Sequence, residues 1–379
     1  MGMHLAHKRS LDALARRRRM RSLQPRRGLD FASNDYLGLG ESDVLRNAAR
    51  AALDRGVPVG AGASRLLRGN HPEHEALEAE AAAFFGAQAA LFFGGGFQAN
   101  SALFATLPQR GDLILHDALI HASAHDGMAL SRAGNQAFAH NDPDAAGDAI
   151  ANWRRAGGTG RIWIAVESIY SMDGDAAPLD ALASIADRND AMLVIDEAHA
   201  TGVCGPDGRG LAATLEGREN VIALHTCGKA LGASGALLTM PGVLHDYMVN
   251  RARPFIYATA PSPLIAAIAR TALNLVHDEP QRRQIHAELV AHAGALLSER
   301  CAIAPTGTHI QPVIVRHDER ALQIANALQE AGFDVRAIRP PTVAEGSARL
   351  RLSLTLNVTA DDVTCLTEHL AALLAELPS

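Results

Sequence analysis

Lys229 lies in the stretch LHTCGKALGASG, residues 224–235, and its surroundings suggest chemistry. An apolar run at 221–224 leads into Thr-Cys-Gly-Lys-Ala, and small residues follow at once. The pattern reads as a strand ending in a tight loop that presents one amine to a cavity. Such a lysine has room beside it for a bulky ring, can lose its proton, and can attack a carbonyl to give a Schiff base. Alone it decides little, because a lysine on a turn is ordinarily a surface residue. A second stretch, AMLVIDEAH at 191–199, has a buried-strand pattern closing on Asp196, Glu197 and His199. A carboxylate at the C-terminal end of such a strand faces the crevice where open α/β sheets bind ligands. Asp196 and Lys229, 33 residues apart, are the two parts a pyridoxal phosphate site needs. The amine takes the aldehyde, and the carboxylate keeps the pyridine nitrogen protonated. DEAH followed by GK also suggests a nucleotide-driven ATPase, which requires GxxxxGK[ST]. Here Ala230 follows Lys229, Ala223 occupies the first glycine position, and no other stretch fits.

The elements that must hold these residues alternate strand and helix. Strands are expected at 90–93, 112–117, 161–167 and 221–224, besides the 191–199 stretch, with helices at 98–107, 142–155 and 178–189. That order implies an α/β fold: a mostly parallel sheet flanked by helices. Strand ends near Gly94, Glu167, Asp196 and Thr226 should converge on one edge. Gly94-Gly95-Gly96-Phe97, between a strand and a helix, offers bare backbone N–H groups to a phosphate. Gly60 and Gly62 begin a GxG, but Arg65 stands where a dinucleotide fingerprint needs its third glycine. His121 and His125 are four apart and could chelate a metal from one helical face. No third ligand is evident, so stacking of His121 on an aromatic ring is favoured and no metal is expected. From about 278 the pattern becomes helix, strand at 311–316, helix at 321–332, strands at 333–338 and 348–355, then a final helix. Within it IRPPT, residues 338–342, fixes Arg339 in a prolyl-stiffened turn suited to carboxylate recognition. The expected division is an N-terminal arm at 1–40, a large α/β domain at 41–277 and a small α+β domain at 278–379.

Composition sets the class. With 379 residues, 48% hydrophobic and 20% charged, the chain can bury a large core. No apolar run is long enough to span a bilayer, and the start lacks a secretory segment. Four scattered cysteines without a CxxC pair suit a reducing cytoplasm and argue against zinc. Residues 8–27 hold nine Lys/Arg and one acid, or +8; the chain is −6, so the rest carries −14. This basic arm is either a solvated helix face or a meeting place for an anionic partner such as coenzyme A or an acidic carrier protein. It has no interleaved aromatics, so nucleic acid is not expected.

Ten motifs occur in order: NDYLGL, GxGxSR, HExLE, the GGF turn, HAS, SMDGD, DEAHxTG, TxGKA, IYAT and IRPPT…ARLRLS. Together they resemble the α-oxoamine synthases, fold type I pyridoxal phosphate enzymes, over nearly the whole chain. One departure is Ala344-Glu345 after IRPPTV, where that family usually has proline. The resemblance implies decarboxylative condensation of an amino acid with an acyl thioester. IRPPTV followed by ARLRL points to L-alanine and a pimeloyl thioester, carried on coenzyme A or an acyl carrier protein. The alternative is a sister enzyme using glycine or serine. The resemblance also implies that Lys229 holds the cofactor and removes the α-proton, that Asp196 pairs with the ring nitrogen, and that His121 stacks on the ring beside the substrate. Ser171 and His199 are implied near the ring hydroxyl. Backbone at Gly96 and Phe97, with Thr226, is implied at the phosphate, and Thr259 reaches it from the second subunit of a homodimer. Arg339, with Thr342 beside it, is implied at the amino-acid carboxylate, and Arg21 and Asn34 elsewhere on the substrate side.

Overall fold

The computed structural model describes residues 3–377. The chain divides into two compact units. One comprises Asn34–Ser171 and Asp175–Ile285; the other comprises the N-terminal residues to Ser33, Met172–Gly174 and the chain from His286 onward.

The larger unit is built on seven strands: β1 (Ala89–Phe93), β2 (Leu113–Asp117), β3 (Gly134–Phe138), β4 (Ile162–Glu167), β5 (Met192–Asp196), β6 (Val221–Thr226) and β7 (Ala236–Met240). Their spatial order is β1-β7-β6-β5-β4-β2-β3, and only β7 runs against its neighbours. The other strands therefore end on one edge, as the sequence suggests. Because successive strand residues face opposite sides, each strand feeds two cores. Trp163, Ala165, Met192, Val194, Ile222 and Leu224 pack in one cluster, together with Ala99, Ala102 and Leu103 of the helix Gly96–Thr106. Ile162, Ile164, Val166, Leu193, Ile195 and Val221 pack in the other. The same alternation carries Glu167, Asp196 and Thr226, the last residues of β4, β5 and β6, to the face of the Gly96–Thr106 helix.

Two strands escape the sequence reading. β3, GNQAF, is exposed at all but its last residue and shows no apolar pattern. β7 is buried but follows so closely on the Lys229 loop that its apolar run does not read as a separate element. The helix expected from residue 98 begins two residues earlier, at Gly96, with Gly95 as its N-cap. His121 is the N-cap of the helix Ala122–Leu130 rather than a member of its face, and its Nδ1 accepts the Ser123 N–H at 3.2 Å. His125 stands edge-on to the His116 ring instead, and among the described residues no His/Cys/Asp/Glu group could hold a metal.

In the smaller unit three antiparallel strands, Arg336–Ile338, Ala348–Ser353 and Ile310–Arg316, pair in that order. The helices Asp318–Glu330 and Ala360–Glu376 contribute Ile324, Leu328, Leu366 and Leu370 to its core, beside Val313 and Leu350. The strand expected at 333–338 is broken: Phe333–Asp334 leaves to pair in parallel with Leu29–Asp30 of the arm. No helix among the described residues is long and apolar enough to cross a membrane.

Candidate active site

Lys229 stands in the loop between β6 and β7, which closes on itself by backbone hydrogen bonds. Cys227 N–H donates to Gly235 O, Ala233 N–H to Cys227 O and Gly232 N–H to Lys229 O, each at 2.9 Å. Gly235 has φ +106°, and a Cβ there would lie 2.4 Å from the Phe92 ring, so only glycine closes the loop this tightly. Lys229 Nζ lies 2.7 Å from His199 Nε2. His199 Nδ1 lies 2.6 Å from the Tyr36 hydroxyl, which in turn donates to Asn34 Oδ1 at 3.1 Å. His199 therefore stands between the Tyr36 phenol on one ring nitrogen and the Lys229 amine on the other. NDYLGL thus supplies both Asn34 and the phenol that holds the His199 ring.

Asp196 is buried and held from two directions. Oδ1 accepts the Ala198 N–H at 3.0 Å, and Oδ2 accepts from Asn100 Nδ2 at 2.7 Å. The same Asn100 amide donates to Ser123 Oγ at 3.0 Å, and Ser123 Oγ lies 2.8 Å from His121 Nδ1. One asparagine therefore ties the carboxylate to the histidine. Packing around His121 lowers its pKa, the Asp196 charge opposes this, and the Lys229 charge reinforces it. His121 is accordingly neutral, with its proton on Nε2.

The helix Gly96–Thr106 starts with no side-chain cap, at a glycine pair without side chains. A Cβ on Gly95 would meet nothing within 4 Å, and one on Gly96 would lie 3.8 Å from Thr226 Oγ1. Bare N–H groups beside a hydroxyl at a helix N-terminus suit a phosphate dianion. Phe97 is half-exposed in the first turn, and Thr259 is exposed. Ser171 N–H donates to Glu167 Oε2 at 3.2 Å. An amine, a buried carboxylate, a neutral imidazole and a phosphate cradle on one unit are the donor set that pyridoxal phosphate requires.

The remaining candidates lie in the smaller unit. Arg21, Arg339 and Thr342 line one cleft of about 500 Å³ with Arg19 and Arg336. Arg21 donates to Thr342 Oγ1 at 3.0 Å, and Arg339 donates to the Arg18 carbonyl. The helix Leu5–Arg16 of the arm buries no residue and is a solvated face, whereas the residues just after it are paired. Arg19 is bidentate to Glu345 at 2.7 Å and also meets Asp318 at 2.9 Å, while Arg18 pairs with Glu319. Glu345, the departure from the family pattern, is therefore an anchor for the arm.

Sequence reasoning missed Asn100 and His140, and placed Glu167 only as a strand end without a role. Asn100 is a polar residue on the apolar face of GFQANSALF, and Glu167 ends the otherwise apolar IWIAVE; both could have been given a role on that ground. His140 gave no signal. Its Nδ1 lies 2.9 Å from Asp117 Oδ1 and its Nε2 2.8 Å from Asp175 Oδ2, with the Tyr170 ring edge-on. Burial would lower its pKa, but the two carboxylates outweigh burial and push it up to about 10.

The family described as aminotransferase class I and II matches residues 26–370. An 8-amino-7-oxononanoate synthase of Anaeromyxobacter dehalogenans is 42% identical over 381 residues, spanning 97% of this chain and 94% of its own. The solved structure of 8-amino-7-oxononanoate synthase from Francisella tularensis is similar at TM-score 0.77 and 27% identity, covering 92% of this chain and 98% of that one. A structure of SPT with a PLP internal aldimine is similar at TM-score 0.85 and 25% identity, covering 90% and 86%.

Proposed function

The chain belongs to the aminotransferase class I and II family, and on that premise we propose that it is an 8-amino-7-oxononanoate synthase. It condenses L-alanine with a pimeloyl thioester, on coenzyme A or an acyl carrier protein, releasing carbon dioxide and the free thiol. The observation that carries this reading is Lys229 Nζ, held 2.7 Å from His199 on the sheet edge where Asp196 also ends its strand.

Pyridoxal 5'-phosphate, when bound, supplies an electron-accepting ring that stabilises negative charge on the amino acid's α-carbon. Lys229 would hold its aldehyde carbon, Asp196 its ring nitrogen, and Gly96, Phe97 and Thr226 its phosphate. His121 would cover the ring, and Ser171 and His199 would lie near its hydroxyl. Lys229 Nζ would take the α-proton, and His199, 2.7 Å away, would be the group that exchanges a proton with it. Asn100 and the Ala198 N–H hold the Asp196 carboxyl group in place by donating to its two oxygens. Arg339 and Thr342 take the amino-acid carboxylate. Arg21 takes the acyl substrate, for which a cleft lined by Arg19, Arg21 and Arg336 suits anionic groups. We assign the protein to the cytoplasm and to a homodimer in which Thr259 serves the neighbouring subunit's phosphate.

The test is an absorbance titration of the pyridoxal phosphate-loaded protein with L-alanine, glycine and L-serine. A visible band that responds selectively to alanine supports the reading. The same band answering best to glycine or serine moves the function to a sister synthase, and no band at all refutes the enzyme.

A further inference from the structure

Glu167 ends β4 in register with Asp196 at the end of β5, on the same face of the sheet, and the roles above leave it unused. It is 2% exposed. Oε2 accepts the Ser171 N–H, while Oε1 is buried and has no partner among the described residues. Nearly all buried polar atoms in folded proteins are paired, and one left unmade is costly. An orphan carboxyl oxygen on a ligand-binding edge is therefore an atom that the ligand completes.

The charged groups facing Glu167 are Asp196 on the neighbouring strand, Lys229 on the loop after β6, and Asp117 at the end of β2. Two carboxylates in register on a buried edge cannot both ionise cheaply. Asp196 accepts two N–H donors and Glu167 only one, which favours the proton on Glu167. Burial first, then the Asp196 charge, push the Glu167 carboxyl up to about 8 against the pull of Lys229. With Oε2 occupied as an acceptor, the proton belongs on Oε1.

We propose that Glu167 is a further ligand-binding residue of this site, its Oε1 donating a hydrogen bond to an anionic oxygen of the bound molecule while Oε2 holds Ser171 by its backbone. The inference rests on the functional reading above. The anionic oxygen belongs either to the amino acid's carboxylate or to the cofactor ring, and the two sources separate experimentally.

Alanine affinity of the pyridoxal phosphate-loaded protein is measured at about pH 7 and about pH 9 for wild type, Glu167→Gln and Glu167→Ala. At the lower pH the alanine variant binds about tenfold more weakly, as expected for one hydrogen bond to a charged group, and glutamine, which keeps a donor, restores most of the loss. At the higher pH wild type ionises Glu167 and loses about tenfold relative to Glu167→Gln, which cannot ionise. Ethylamine lacks a carboxylate. If the wild-type to glutamine difference vanishes with it, the substrate carboxylate is the acceptor; if it persists, the ring oxygen is. Cofactor-free protein gives a second readout. Folded wild type keeps a proton that its unfolded chain releases, so Glu167→Gln melts higher, by a margin that widens from about pH 5 to about pH 8. Parallel affinity profiles for wild type and Glu167→Gln, or a melting difference that ignores pH, overturn the proposal. If wild type does not respond to alanine at any pH, the functional reading fails, and the melting comparison still decides where the Glu167 proton lies.

Discussion

Replacing His140 with glutamine should remove a pH-dependent clamp from the larger unit. The imidazolium bridges Asp117, which ends β2, to Asp175, just past the loop that carries Ser171, so it joins the sheet to the turn beside the site. Its pKa rises from 6.5 to about 10 in the folded protein. A shift of that size at about 1.4 kcal/mol per unit, discounted because the side chain is a quarter exposed, leaves roughly 2–4 kcal/mol of stability. Loss of one partner of a buried ion pair costs about 3–5 kcal/mol, which agrees. The sign follows from the raised value: the stabilisation is complete below the unfolded pKa and is lost as pH climbs through about 10. Both tryptophans of the chain, Trp153 and Trp163, lie in the larger unit, so fluorescence during urea unfolding reports on that unit alone. Wild type should exceed His140→Gln by roughly 2–4 kcal/mol near pH 6, and the two should converge near pH 10. A gap that stays constant across that range would refute the bridging imidazolium.

Other expectations concern the site and the arm. Lys229→Ala should not retain pyridoxal phosphate after borohydride reduction, as read by intact mass; a retained adduct would place the covalent link elsewhere. Arg339→Ala should weaken alanine binding by about tenfold to a hundredfold, the worth of roughly 1.5–3 kcal/mol for a charged hydrogen-bond partner, and unchanged affinity would reassign that residue. Replacing Asp318 and Glu345 by alanine removes the anchors of Arg19, so trypsin should cut between residues 16 and 21 faster than in wild type. An unchanged cleavage rate would mean the arm is held by other contacts.

Most of the sheet and the residues at its edge were legible because five of its seven strands announce themselves by apolar runs. IWIAVE and MLVID are buried on both faces and end in an acid, which the alternation then aims at the site. Lys229 was legible from its small neighbours. The network that tunes these groups was not, because it is made by residues far apart in the chain: Asn100 reaches Asp196 across 96 residues, and Tyr36 reaches His199 across 163. β3 was hidden because it is a partly exposed edge strand with no apolar run, and the break at Val335 because local pattern cannot show that Phe333–Asp334 pairs with the arm. Arg18 and Arg19 read as part of an unpaired basic tract, since their acidic partners lie about three hundred residues further on.

The most direct measurement is product formation by the purified protein given pyridoxal phosphate, a pimeloyl thioester and alanine labelled at its carboxyl carbon. The account predicts 8-amino-7-oxononanoate by mass spectrometry, one labelled carbon dioxide released per product, and little turnover when glycine or serine replaces alanine. Faster turnover with glycine or serine, or product that keeps the labelled carbon, would contradict it.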